Sequence, residues 1–588
     1  MEVAHEWQGL AKKDRPSGAG RPGLTQDLGT TGSMSSSSLS RRALLVRMTA
    51  STAAAAMGVG VPRLFAKQET ESPSIDRIAG ETQVSRAVAG GARRAQAFRI
   101  RLKAALRELK VPLPLQISNG DETLYPNRIG SYSKGLPHDS IGEVDPPAYS
   151  SLLTAVGSMD PNDFANIPLG GNVKLADPQG GLAFDLEGTD SGQLTIPPSP
   201  ALASAERAGE MVEDYWMALT RDVPFSQYGS EAVTAAAIAD LNKLADFKGP
   251  RENGQVTAAT LFRGFTTADL VGPFLSQFLL LPVSFGTLSV LQQYKTYASG
   301  TDYLTDFASC LACQNGQDPF PPNVVSGTSY TKSGRDLGAY VHADLPYQAY
   351  LTAAQWLLAD KVPLNPGNPY LHISNQSGFQ TFGGPHILDL LGEVTNRALK
   401  AVWYQKWFVH RTVRPEAYGC LVHQAVSGGA KYPVHSDVLN SQAIDQVFSR
   451  YGSYLLPSAY PEGCPQHPSY AEGHGAIAGA CVTVLKAFFN ENSVIPNPVV
   501  ASDDGQFLLP YTAPDAGEIT VGGELNKLAS NIALGRDMAG VHWRSDAVQS
   551  ILLGEAVAVS ILRDQRSTFN EPFSGLTFTK FDGTTVTV

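Results

Sequence analysis

Residues 385–415 read PHILDLLGEVTNRALKAVWYQKWFVHRTVRP, the pattern of an amphipathic helix that runs into a cationic loop. Pro385 suits the first helical position. Apolar residues then recur every three or four positions and form one buried stripe: Ile387, Leu391, Val394, Ala398 and Val402. A residue before proline favours extended geometry, so Arg414-Pro415 predicts that the helix stops close to Arg411. Lys406 and Arg414 would then converge from the helix end and the following loop.

Helical spacing recurs along most of the chain after residue 200. Residues 115–200 are rich in Gly, Pro, Asn, Asp and Ser, which predicts a long looped region. Alternating residues around Asp582-Gly583 predict a β-hairpin at 576–588. The predicted fold class is therefore mainly α, with helical bundles forming one large domain and a small C-terminal β-hairpin. The predicted helices are 83–110, 201–220, 230–243, 266–295, 300–312, 345–360, 385–412, 439–451, 473–490, 522–535 and 543–563.

Composition narrows the possible partners. The chain has 588 residues and a net charge of −10, which argues against nucleic acid and against an anionic membrane surface. It contains no uninterrupted apolar run of about 18 residues, so no membrane span is predicted.

The N-terminal segments follow one another in the order that is typical of an export signal. Ser40-Arg41-Arg42 matches a twin-arginine motif, an alanine-rich apolar stretch follows, and Leu64-Phe65-Ala66 offers a cleavage site. We therefore predict an export signal with an N-terminal extension over 1–66, and a periplasmic or secreted mature domain over 67–588 with its active-site core at 385–563. The alternative is a disordered basic tail followed by an alanine-rich helix.

Two of the five cysteines form a C-x-x-C pair, Cys310 and Cys313. No other feature typical of thioredoxin-like redox catalysis accompanies the pair. In an exported protein, a structural disulfide is the preferred interpretation.

Three cationic motifs follow one another in the C-terminal half of the chain. They contain Lys406 with Arg414, then His467 with Gly473-His474, then Arg536 with His542. Each motif is weak alone, because a lone Lys or Arg is usually a solvated residue and a lone His is usually a core residue. Together they would make an oxyanion site, because a tetrahedral oxyanion needs several fixed donors.

Two local features support this interpretation. Gly473 begins a predicted helix whose first N–H groups lack intrahelical partners, and a helix N-terminus favours anions. Asp546 lies four residues after His542 and would orient its imidazole, or would instead cap the helix or pair with Arg544.

In these three motifs, the chain resembles the vanadium-dependent haloperoxidases, whose core is shared with the type 2 phosphatidic acid phosphatases. The resemblance rests on three motifs. The first is Lys406 followed, after seven intervening residues, by Arg414-Pro415; the second is Gly473-His474. In the third, five residues separate Arg536 from His542. Residues around these motifs resemble the algal and cyanobacterial bromoperoxidases: Trp407, His410, Glu416, Gly272-Pro273, 275–278, 381–386 and 533–536.

The resemblance implies a vanadate cofactor and a role for each motif residue. Lys406, Arg414 and Arg536 would bind vanadate oxygens, and the backbone N–H of Gly473 would donate to one. His542 would bind vanadium through a ring nitrogen. His474 would be the general acid and base, and His467 would lie beside the cofactor. Lys406 would also polarise the peroxide oxygen.

One position departs from the family, because Pro-Ser-Gly-His reads Ala471-Glu472-Gly473-His474 here. An ionised Glu472 would repel vanadate, so Glu472→Ser is expected to increase vanadate affinity. The alternatives are a protonated Glu472 that donates to vanadate, or a side chain that turns outward to pair with an arginine.

The implied activity is oxidation of halide, bromide in the first place, by hydrogen peroxide, with halogenation of small organic substrates by a homo-oligomeric enzyme. An acid phosphatase would use the same site, with His542 as nucleophile and His474 as acid. Glu472 motivates a third hypothesis, a non-catalytic oxyanion-binding protein.

Overall fold

The computed structural model describes residues 91–318 and 320–588, which are mainly helical as predicted. The described part of the compact unit that carries the site runs from Ile100 to Val588. The predicted export signal, its cleavage site and the domain boundary at residue 67 lie outside the described residues. The α-helices are Gly91–Lys110, Asp121–Leu124, Pro146–Ser158, Pro161–Ala165, Ala205–Thr220, Ala232–Leu241, Phe307–Gln314, Gly334–Ala343, Gln348–Ala359, Gly384–Tyr404, Pro415–Ser427, Ser436–Leu439, Gln442–Tyr451, Gly473–Phe488, Val521–Met538 and Arg544–Gln565.

The helix Gly473–Phe488 is central, because it packs against Gly384–Tyr404, Val521–Met538 and Arg544–Gln565. Every residue from Gly475 to Phe488 is buried. Glycines let two of these helices approach closely: a Cβ on Gly479 would lie 1.9 Å from the carbonyl oxygen of Ile551. This packing fixes the start of the central helix, which is where the cationic motifs meet.

The helix predicted from Pro385 is confirmed, and its end has a structure that the sequence did not reveal. The α-helix Gly384–Tyr404 continues as a π-helix over Gln405–His410, and Arg411 then takes a left-handed conformation with φ 39°. Single π-turns within α-helices are rare, and those that occur are often found at functional sites. Here the π-turn contains Lys406.

The predicted helix at 266–295 is wrong. Short 3₁₀ turns at Thr267–Leu270 and Gln277–Leu279 precede an antiparallel pair, Val283–Phe285 with Leu288–Val290. Prolines at 273 and 282 interrupt the helical hydrogen bonds, and Gly286 has φ 61° in the turn between the strands. The following strand, Tyr294–Tyr297, pairs with Val325–Ser329.

Elsewhere the short elements match or refine the prediction. The C-terminal hairpin is confirmed, with Thr577–Thr579 antiparallel to Thr585–Thr587. A further pair joins Val499–Ala501 to Leu508–Pro510. The region predicted as looped contains the helix Pro146–Ser158, whose Asp145 cap accepts from the backbone of Ala148.

The structural disulfide favoured by the sequence is present, but it does not join the two cysteines of the C-x-x-C pair. Cys310 is bonded to Cys420, and Cys313 is a buried free thiol. Both members of the C-x-x-C pair lie on the helix Phe307–Gln314, which turns them toward different neighbours. Cys313 Sγ accepts from Lys134 Nζ at 3.0 Å, whereas Cys310 lies in a small cluster with Cys420 and Leu455.

Among the described residues, one helix, Arg544–Thr568, has the length and apolar composition that a membrane span requires. In its most apolar window, 67% of the residues are buried inside the protein. Core helices of globular proteins commonly share this composition, and this one packs along the central helix Gly473–Phe488.

Candidate functional site

The structure brings the three cationic motifs together at the start of the helix Gly473–Phe488. Lys406 is fully buried, and its Nζ donates to the carbonyl oxygens of Pro468 and Ser469, both at 2.7 Å. These carbonyls hold the ammonium group against the loop that carries His467 and Glu472. The first and second motifs are therefore joined through Lys406.

Arg414 joins the second motif to the third. Its Nη2 lies 2.9 Å from His467 Nδ1, and its Nη1 lies 2.8 Å from His542 Nε2. The guanidinium also donates to the carbonyl oxygens of His467 and Val541. Because a guanidinium can only donate, both imidazole nitrogens that face it carry lone pairs.

Asp546 fixes the tautomer of His542, and the predicted hydrogen bond is confirmed. His542 Nδ1 lies 2.7 Å from Asp546 Oδ2, which also accepts from the hydroxyl of Ser469. The proton of His542 is therefore on Nδ1, and Nε2 keeps its lone pair toward the site. Arg544 does not compete for Asp546, because it forms a bidentate pair with Glu213 at 2.6 and 2.7 Å.

Arg536 completes the set of cations. It lies in the last turn of Val521–Met538, is 2% exposed, and donates through Nη1 to the carbonyl oxygen of Val341 at 2.7 Å. Its guanidinium also lies over the ring of Tyr460, 5.4 Å from the centroid. These contacts fix the arginine from two sides.

His474 lies on the more accessible side of the site. The helix begins at Gly473 as predicted, and the side chain of His474 is 25% exposed. Its Nε2 lies 3.0 Å from Asp344 Oδ1. Sequence analysis missed Asp344, which lies 130 residues earlier at the end of the helix Gly334–Ala343 and belongs to no motif.

Glu472 is fully buried at the N-terminal cap of the central helix, and neither carboxyl oxygen has a hydrogen-bond partner among the described residues. The predicted alternative of an outward turn to an arginine is therefore wrong. Burial raises the pKa of Glu472 well above its ordinary value, against the lowering effect of Arg536. This direction favours the protonated carboxyl, which is a donor.

The electrostatics of the site suit an oxyanion. Burial, followed by the charge of Arg414, lowers the pKa of Lys406 well below its ordinary value, and burial also lowers the pKa of Arg414. Burial and the same cations lower the pKa values of His467 and His542, so both imidazoles are neutral. An anion that enters relieves the repulsion among the cations. The unprotonated nitrogen of a neutral imidazole is a common metal ligand.

A second buried acid, Asp537, follows Arg536 in the sequence, and neither of its carboxyl oxygens has a partner among the described residues. Burial and the charge of Asp214 raise its pKa well above the ordinary value. The folded protein therefore holds this proton more tightly than the unfolded chain does, and stability is lost as pH rises from the ordinary pKa toward the raised one.

We expect Asp537→Asn to remove this part of the pH dependence. As pH rises through that window, the unfolding free energy of the wild type should fall relative to that of the variant, by up to about 1.4 kcal/mol per pH unit. Urea unfolding at several pH values measures it, with the exposed Asp360→Asn as control. Parallel curves for Asp537→Asn and wild type would contradict a protonated Asp537.

Comparisons with known proteins agree with this geometry. The profile of the VCPO second helical-bundle domain matches residues 388–571. The vanadium-dependent bromoperoxidase of Corallina officinalis is 35% identical, over 84% of this chain and 98% of the relative. That of Ascophyllum nodosum is also 35% identical, over 81% of this chain and 89% of the relative.

A solved structure agrees as well. The homohexameric second vanadate-dependent bromoperoxidase of Ascophyllum nodosum, AnII, superposes with a TM-score of 0.82 at 30% identity, covering 90% of this chain and 95% of the other. The fold and the buried cations define a helical-bundle protein with an oxyanion site. With relatives of this identity and coverage, the chain belongs to the vanadium-dependent bromoperoxidase family.

Proposed function

We propose that this protein is a vanadate-dependent haloperoxidase that oxidises bromide with hydrogen peroxide to a hypobromous acid equivalent, which brominates small organic substrates. The observation that carries the proposal is the neutral His542, held by Asp546 with its Nε2 lone pair directed at the buried guanidinium of Arg414. The relatives favour this oxidation over the phosphatase and non-catalytic alternatives.

The buried donors fit vanadate. Lys406, Arg414 and Arg536 supply fixed positive charge, and the Gly473 N–H at the start of the central helix donates along the helix dipole. His542 Nε2 would be the ligand to vanadium. Vanadate held there would supply Lewis acidity toward hydrogen peroxide.

The other residues of the site handle charge and protons. Lys406 stabilises negative charge that develops on the peroxide oxygens, because its ammonium group is held without solvent around it. His474, backed by Asp344 and partly open to solvent, exchanges protons with peroxide and water. His467 is a neutral ring that accepts from Arg414, and it would lie beside the cofactor.

Monobromination of a phenolic dye tests the proposed activity. We expect purified protein to brominate the dye only when bromide, peroxide and vanadate are all present. Removal of vanadate by dialysis against a chelator should abolish the reaction, and its re-addition should restore it. Hydrolysis of a phosphate ester without bromination would instead support the phosphatase.

We further propose that the mature protein is exported and assembles as a homo-oligomer. The motif Ser40-Arg41-Arg42 and the cleavage site at Ala66 support export. We expect N-terminal sequencing of periplasmic or secreted material to begin near Lys67. Intact cytoplasmic protein that begins at Met1 or Met34 would contradict export. The homohexameric AnII supports the oligomer.

A further inference from the structure

Residues 106–117 expose six large aliphatic side chains: Leu106, Leu109, Val111, Leu113, Leu115 and Ile117. Leu113 and Leu115 are 78% and 77% exposed. Polar side chains of the same segment make its contacts with the protein: Gln116 Nε2 donates to the carbonyl oxygen of Leu194 at 2.7 Å. The usual arrangement, apolar inside and polar outside, is thus inverted along this segment.

A second segment, residues 184–186, has the same inversion. The carboxylate of Asp185 points inward, where Oδ1 lies 2.5 Å from Lys400 Nζ and 3.1 Å from Arg397 Nη1. On either side of it, Phe184 is 72% exposed and Leu186 is 100% exposed. Ion pairs therefore hold the backbone in a position that presents both apolar side chains to solvent.

The two segments are neighbours. The carboxylate of Asp564 joins them, because Oδ1 pairs with Arg107 at 2.9 Å and Oδ2 accepts from the backbone of Gly188 at 3.0 Å. Gln193 Nε2 also donates to the carbonyl oxygen of Glu108 at 3.0 Å. Residues 106–117 and 184–186 therefore form one surface, which we call the apolar face. Large exposed apolar surfaces of this kind mark interaction sites.

We propose that the apolar face binds a second copy of this chain and forms a subunit interface of the oligomer. This assignment rests on the homo-oligomer proposed above, and it names the surface that forms it. Residues 100–110 carry four basic residues and one acidic residue, whereas the whole chain has a net charge of −10. A second copy therefore offers acidic surface that complements the basic edge of the apolar face.

An anionic membrane is the competing partner, because a basic and apolar surface also suits lipid headgroups. The net charge of −10 opposes it, since the rest of the molecule would be repelled from such a membrane. The two partners are separable by experiment, because only one requires lipid.

Two sets of variants test the apolar face. Leu186→Asp, and Leu113→Asp with Leu115→Asp, each place charge in the proposed interface. Phe507→Asp is the matched control, because Phe507 is 66% exposed on a hairpin elsewhere. We expect light scattering across a concentration series to show a dissociation constant raised about thirtyfold or more by either test variant, the effect of losing one hot-spot side chain. The control should assemble as wild type does.

Hydrogen exchange on the wild-type protein removes the concern that a variant misfolds. We expect amides of residues 106–117 and 184–188 to exchange faster when the oligomer is diluted to subunits. Wild-type protein that is monomeric, or test variants that assemble as the control does, would overturn the assignment. So would a wild type that is monomeric in solution and binds anionic phosphatidylglycerol vesicles through Leu186. Bromination per subunit, measured on the same samples, reports separately on the proposed activity.

Discussion

Replacement of His542 by alanine is expected to remove vanadate from the protein and abolish bromination. The lone pair of His542 Nε2 faces the buried cations, and Asp546 holds the imidazole ring in that orientation. Loss of a hydrogen bond to a metal ligand typically lowers metal affinity roughly 10–100-fold, so loss of the ligand itself should cost more. Equilibrium dialysis with vanadium analysis measures the affinity, and the dye assay measures turnover.

Asp546→Asn is the graded companion of this variant. It keeps the shape of the side chain but removes the charge beside His542 Nδ1, so we expect an affinity loss within that range of about 10–100-fold. His372→Ala, an exposed histidine outside the site, is the control. Wild-type vanadium content and turnover in His542→Ala would assign the metal ligand to another residue.

The second large effect concerns Glu472 and depends on pH. Burial raises its pKa well above the ordinary value, which favours the protonated carboxyl, a group that would donate to bound vanadate. As pH rises through the raised pKa, the carboxyl ionises and repels the oxyanion. Repulsion of unit charges at about 4 Å is worth about 1–4 kcal/mol, or roughly 5- to 1000-fold in Kd. Wild-type affinity should fall by that factor relative to Glu472→Gln.

Glu472→Gln is the matched control, because it keeps the shape and a donor but cannot ionise. Titration of both proteins at each pH cancels the protonation of vanadate itself. If Glu472 is neutral, we expect Glu472→Ser to weaken vanadate binding at neutral pH, because the serine side chain is shorter and its hydroxyl does not reach as far as the glutamate carboxyl. An ionised Glu472 would give the opposite change in vanadate affinity. Tighter binding by the serine variant would show that Glu472 is ionised after all.

Much of the site could be predicted from sequence, because local patterns encode it. The stripe from Ile387 to Val402 predicted the long helix, and Arg414-Pro415 predicted its end, since both effects act within a few residues. The Gly473 helix start and the i+4 spacing of His542 and Asp546 were equally local. The 266–295 error arose because apolar spacing was given more weight than the prolines and glycines that interrupt the segment.

By itself, the sequence determined which residue types were available for an oxyanion site and which helices would carry them. Only the tertiary structure decided their contacts and protonation. Asp344 reaches His474 across 130 residues, and Cys310 bonds Cys420 across 110, which no spacing rule predicts. Burial likewise determines whether Glu472 is a repelling anion or a neutral donor, because pKa depends on the solvent and charges that surround a group in the folded protein.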